Sequence, residues 1–237
     1  MRLPLATLLF VFATGAWAQG TLEKIKSSGT INLGYREASI PFSYVGDDRK
    51  PAGYSVELCQ RVASAVKRQL GLAELKLHWV PVAPGNRVAR LTAGEIDLEC
   101  GSTTNTLSRQ EQVDFSLLTF ADGGGLLMKI GSTMKGLADA GGKRLGVVPG
   151  TTTERTLREV LAKQKINAEL VAFKDHAEGL AATMDGRIDA YASDRVILVG
   201  LVLGSGNQKN LRLAEALYSY EPYALMLRKD DGAFRLA

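Results

Sequence analysis

The stretch Glu99-Cys100-Gly101-Ser102-Thr103-Thr104-Asn105-Thr106-Leu107-Ser108-Arg109 follows an alternating apolar run, Ile96, Leu98 and Cys100, that reads as a buried strand. A glycine and a cluster of hydroxyls come next, and an arginine completes the stretch. Such a loop places free backbone N–H groups, Ser and Thr hydroxyls and a planar guanidinium around one point. A small carboxylate suits that arrangement, since arginine grips it bidentately and helix-start amides add donors. The same pattern also suits an ordinary Ser/Thr N-cap followed by a solvated arginine.

Outward from this stretch the chain repeats itself. Ala93-Gly94-Glu95-Ile96-Asp97-Leu98-Glu99-Cys100-Gly101-Ser102 matches Asp185-Gly186-Arg187-Ile188-Asp189-Ala190-Tyr191-Ala192-Ser193-Asp194 in pattern. Each copy has a capping glycine, an x-Ile-Asp-apolar strand and a polar residue at the strand's end. Ligands of α/β sheets collect beyond the carboxyl ends of the strands. The recurrence therefore implies two similar lobes presenting Ser102 and Asp194 to a shared cleft, unless it is a chance match of a common helix-to-strand pattern.

The intervening segments alternate strand and helix. Residues 30–35 read as a strand ending at Arg36-Glu37. Leu58, Val62, Ala65 and Val66 recur at helical spacing within 54–70. Leu75, Leu77 and Trp79 alternate as a strand, and Asn86-Arg87 opens a short helix closed by Gly94. This order predicts a parallel α/β sheet. A second set follows: a strand at 145–148, a helix after Gly150-Thr151-Thr152-Thr153-Glu154, a strand at 170–173 and a helix from about 177 to 184. The glycines after Asp122 place one crossover between the lobes near 117–124, and a second is expected near 217–223.

Composition narrows the class. Met1-Arg2, the apolar run from Leu3 and Ala16-Trp17-Ala18 form a secretory signal peptide over residues 1–18. No later stretch is apolar for long enough to span a bilayer. Without the leader, which carries only Arg2, the net charge falls from +4 to +3. The positives are scattered, so no nucleic-acid partner is expected. Cys59 and Cys100 could form a disulfide after export or remain two buried thiols.

Several segments together resemble the extracellular solute-binding proteins of polar amino-acid ABC importers, most closely the glutamate/aspartate-binding branch. They are Gly34 to Tyr44, Asn86-Arg87, Glu99 to Asn105 with Arg109, Gly150-Thr151-Thr152, Lys174-Asp175-His176 and Leu227 to Asp231. The resemblance implies a two-lobed, periplasmic-binding-protein-like (type II) α/β fold, each lobe a sheet flanked by helices. Lobe 1 would span 19–120 and lobe 2 121–219, with 220–237 a return strand to lobe 1. Family members continue beyond this point with helices that pack on the first lobe. A chain ending at Ala237 is therefore expected to be truncated and to expose apolar surface there.

The resemblance also assigns roles. Residues matching Arg109, Thr104 and Thr152 take the α-carboxylate of an amino acid, and those matching Ser102 and Asp194 hold its ammonium. Residues matching Arg36, Arg87 and His176 meet a side-chain carboxylate. Three arginines against one aspartate favour an anionic ligand, with a net +2 when His176 is neutral. Pro84 stands where the branch offers a serine hydroxyl near Arg87, which loosens the expectation of glutamate over aspartate. Each residue also has a plainer role: Arg36 and Arg87 as exposed charges, His176 and Asp194 as helix caps, and His78 as structural or exposed. The expected protein is periplasmic and monomeric, holds no metal or cofactor, catalyses no reaction and delivers an acidic amino acid to a membrane permease. The alternatives are an enzyme on the same scaffold, such as a cyclohexadienyl or arogenate dehydratase, and the sensory lobe of a receptor.

Overall fold

Apolar residues on alternating or helical spacing bury themselves in two separate sheets. The computed structural model describes residues 20–237, so the expected leader at 1–18 lies outside the described residues. The chain opens with α1 (Thr21–Ser28), β1 (Thr30–Tyr35), β2 (Ala38–Ser39), β3 (Ser43–Val45), β4 (Pro51–Ala52) and α2 (Tyr54–Gln69). It continues with β5 (Lys76–Pro81), α3 (Arg87–Thr92), β6 (Leu98–Glu99), α4 (Leu107–Gln110) and β7 (Val113–Asp122). The second half begins with β8 (Gly124–Lys129), β9 (Arg144–Val147), α5 (Thr152–Lys163), β10 (Glu169–Ala172), α6 (His176–Met184) and β11 (Ala190–Asp194). It ends with α7 (Arg195–Gly204), β12 (Leu211–Leu213), β13 (Glu221–Arg228) and α8 (Gly232–Leu236).

The two five-stranded sheets have orders β5-β1-β6-β13-β7 and β10-β9-β11-β8-β12. In both, the first three strands run parallel and the fourth runs antiparallel to the strands on either side of it. The recurrence in the sequence is thus an architectural repeat. Its two copies are β6 and β11, each the central strand of its sheet. Gly94 and Gly186 both adopt φ +74° before these strands, a left-handed turn that glycine makes without strain. Asp97 accepts a bond from Asn32 N at 2.9 Å, and Asp189 accepts one from Arg144 N at 2.8 Å. Both aspartates therefore tie the start of a central strand to its parallel neighbour.

Helix α2 buries Val56, Cys59, Ala63 and Val66 against the first sheet. Cys59 and Cys100 form a disulfide with Cα atoms 6.1 Å apart. It fastens this helix to the end of β6. The second sheet is covered by α5 through Leu157 and Leu161 and by α7 through Ile197, Leu198 and Leu201. Leu117 and Leu236 lie exposed beside the last helix. Among the described residues no helix is long and apolar enough to cross a membrane.

The chain passes between the sheets at Gly123, where β7 gives way to β8, and again before Glu221. A short sheet, β2-β3-β4, stands beside these crossovers. Its Phe42 inserts into the core of the second lobe and packs edge-on against Phe120 and Tyr223, ring centroids 5.0 Å away in each case.

Candidate binding site between the lobes

The loop after β6 is strapped to the crossover strand. Asn105 N donates to Pro222 O at 2.7 Å and Ala224 N to Thr103 O at 3.1 Å. These bonds hold Ser102, Thr103 and Thr104 at the carboxyl end of the central strand, facing the second lobe. There Thr151 caps α5 by accepting from Glu154 N, which leaves Thr152 and Thr153 at the helix start. The lobes approach so closely that a Cβ on Gly150, at φ +76°, would lie 3.0 Å from Gly85 Cα. Glycine is required on steric and conformational grounds together.

Arg36, Arg87, Ser102, Thr152, His176 and Asp194 line one narrow hollow of about 20 Å³, together with Thr151, Thr153, Ser193 and Ile197. Six of the eight expected residues therefore meet at one place. Thr104 lies next to it, its hydroxyl 3.2 Å from that of Thr152 across the lobes. Arg109 is set apart from the hollow. Its Nη1 donates to Thr104 O at 2.7 Å, and its side chain lines an adjoining groove with Gly150, Thr151, Thr152 and Arg155.

The plainer roles do not fit the positions of Arg36, Arg87 and His176. Arg36 follows the end of β1 and is 5 % exposed, and Arg87 begins α3 yet is 3 % exposed. Asp175, not His176, caps α6. Asp194 occupies the N-cap position of α7 without making a side-chain cap bond. Its carboxylate instead accepts from Thr153 Oγ1 at 3.1 Å and from the Tyr223 hydroxyl. His78 stays out of the site, with Nδ1 2.9 Å from Asn32 Oδ1.

Burial sets the protonation states. Desolvation, reinforced by Arg36 and Arg87, lowers the His176 pKa to about 3, so the ring is neutral. Its Nδ1 lies 2.7 Å from the Tyr191 hydroxyl. Desolvation also lowers Arg36 to about 10 and Arg109 to about 9, with Arg87 the next cause for both, and leaves each charged at neutral pH. Desolvation and the neighbouring Glu221 carboxylate raise Asp194 to about 7.

The expected charge count of +2 needs correction, because two further buried acids belong to the site. Glu99 lies behind Arg87, its Oε1 3.8 Å from Nη1, and Thr103 joins the pair by donating to Glu99 Oε2 at 2.6 Å. Glu221 accepts from the hydroxyls of Thr104 at 2.6 Å and Thr152 at 2.7 Å. Three arginines against Asp194, Glu99 and Glu221 carry no net charge when all are ionised. What distinguishes the site is distribution. Among the described residues Arg36 has no acid at ion-pair distance, whereas Arg87 shares Glu99. Glu99 was visible as an acid in a buried strand, but nothing along the chain signalled that Glu221 would arrive here. Among the described residues no cluster of His, Cys, Asp or Glu is arranged to hold a metal ion.

A two-lobed α/β fold with a polar, mixed-charge hollow at the strand ends is the arrangement of a protein that clasps a small zwitterion. The chain belongs to the bacterial extracellular solute-binding proteins, family 3, whose model matches residues 31–235. It is 41 % identical to an L-glutamate/L-aspartate-binding protein of Pseudomonas aeruginosa over 91 % of this chain and 72 % of that one. A glutamate/aspartate import solute-binding protein of Escherichia coli is 37 % identical, over 92 % of this chain and 72 % of that one. Among solved structures, a periplasmic binding protein of an ABC transporter from Brucella ovis, with glutathione bound, superposes with a TM-score of 0.81. It has 27 % identity and covers 92 % of this chain and 68 % of that one. The fold is that of the type II periplasmic binding proteins.

Proposed function

We propose that this protein binds L-glutamate or L-aspartate between its lobes in the periplasm and delivers it, as a monomer, to the membrane permease of an ABC importer. The observation that carries this reading is Arg36: a buried, charged guanidinium on the wall of the hollow with no acid at ion-pair distance among the described residues. A buried cation in that position is stabilised by an anion supplied from outside. Arg87 and neutral His176 stand beside it to complete the side-chain carboxylate subsite. We assign the ammonium to Asp194 and Ser102 and the α-carboxylate to Arg109 with the N-terminus of α5; the hydroxyls of Thr104 and Thr152, expected to share that carboxylate, donate to Glu221 instead. The ligands named for the Pseudomonas and Escherichia relatives support the same choice. Each charge-assisted bond contributes roughly 1.5–3 kcal/mol. A handful of them, less ordering costs, reaches the roughly −8 kcal/mol of micromolar binding.

Hinge closure about the crossovers near 117–124 and 217–223, with lobes at 19–120 and 121–219, is the motion by which such proteins enclose a ligand. The test is a thermal-shift screen of the twenty amino acids on the mature chain, followed by calorimetry of Arg109→Ala. Glutamate or aspartate should raise the melting temperature most, and Arg109→Ala should abolish binding. Stabilisation by arginine or glutamine alone would refute the acidic ligand.

Asp194 favours one second reading. A dehydratase needs a buried acid with a pKa near neutrality in its cleft, and Asp194 is raised to about 7. Turnover of prephenate that is lost in Asp194→Asn would establish that activity in place of transport.

A further inference from the structure

Glu221 is the first residue of β13, where the chain re-enters the first lobe, and it is 2 % exposed. Its Oε2 accepts from Thr104 of the first lobe and from Thr152 of the second, and its Oε1 accepts from Ser219 Oγ at 2.6 Å. One carboxylate on the crossover thus receives bonds from both walls of the site. A threonine hydroxyl has a single proton, so both hydroxyls have committed theirs to Glu221 and turn lone pairs toward any other partner. Bonds to an ionised acceptor are stronger than neutral ones, so this bridge favours the pose in which the two threonines meet. Resting on the function proposed above, we propose that Glu221 is a positioning residue that latches the lobes closed and fixes the orientation of both threonine hydroxyls.

Glu221 also acts on Asp194 through space. The groups facing Asp194 are Glu221 and Tyr223 from β13, Asp122 from β7, Thr153 from α5, Tyr191 from β11 and Tyr218 from the segment before β13. Arg36, Arg87 and His176 share the hollow with it. Glu221 is the strongest charged contributor among them to the rise at Asp194.

Stopped-flow kinetics of L-glutamate with the mature wild-type chain and with Glu221→Gln test the latch. The variant keeps the shape and removes the charge. It should release glutamate about tenfold faster with the association rate unchanged, because loss of a closed-state contact falls on dissociation. The pH midpoint of glutamate affinity should move lower, a change that a purely structural tie would not produce. An unchanged dissociation rate, or an unchanged midpoint, overturns the proposal. If the wild type binds no glutamate, the proposed ligand fails. Small-angle scattering without ligand then decides the latch by itself: Glu221→Gln and Thr152→Val should each enlarge the radius of gyration. Equal radii for wild type and variants overturn it, and Thr152→Val serves alone if Glu221→Gln does not fold.

Discussion

At the scale of single residues, the site's selectivity rests on which charges are already partnered. Among the described residues Arg36 has no acid at ion-pair distance, so its truncation removes ligand contact and breaks no ion pair. Arg36→Ala should weaken L-glutamate binding by about 10–100-fold in calorimetry with little change in melting temperature. Arg87 differs, because Glu99 lies buried behind it. Arg87→Ala should both weaken glutamate more than glutamine and destabilise the fold by about 3–5 kcal/mol, read by urea unfolding, since it strands a buried carboxylate. Asp194 makes binding depend on pH. With its pKa raised to about 7 by desolvation and Glu221, the carboxyl carries a proton below neutrality and must lose it to pair with an ammonium. Affinity should therefore fall about tenfold for each pH unit below 7 and level off above it, measured by calorimetry between pH 5 and 8.5. A profile flat across that range would remove Asp194 from the ammonium subsite.

At the scale of elements, two local constraints hold the site walls. The disulfide between Cys59 in α2 and Cys100 at the end of β6 closes a loop of 41 residues immediately before Ser102. Replacing both cysteines with serine should cost about 2–4 kcal/mol of stability, chiefly by enlarging the unfolded ensemble. Denaturant unfolding of the oxidised protein beside the double variant measures it. In α6, a Cβ on Gly179 would collide with the Tyr191 ring. The ring that bonds His176 fills the space a side chain would need. Gly179→Ala should displace Tyr191 and His176 together, lower the melting temperature and weaken glutamate more than alanine or glycine as ligands.

At the scale of the molecule, a ligand enclosed by both lobes binds only the folded chain. Saturation at a hundredfold excess over Kd should stabilise it by about 2.7 kcal/mol, seen as a melting point that climbs with glutamate concentration. The halves of the fold were legible because each strand and helix carries its own period. The repeated x-Ile-Asp-apolar pattern marked one strand in each of two similar lobes, and the ends of those strands nominated Ser102 and Asp194; the sheet order makes both strands central. Arg36, Arg87 and His176 depended on resemblance, since an arginine after a strand and a histidine beside an Asp cap read locally as surface. Local periodicity thus determined the elements, their order and the duplication, because burial of one face is written into the spacing of neighbouring residues. Only the tertiary structure decided the charge of the site. Glu99 faces Arg87 and Glu221 arrives on a strand more than a hundred residues beyond Thr104, and electrostatic partnership between residues so distant in the chain has no local sequence signature.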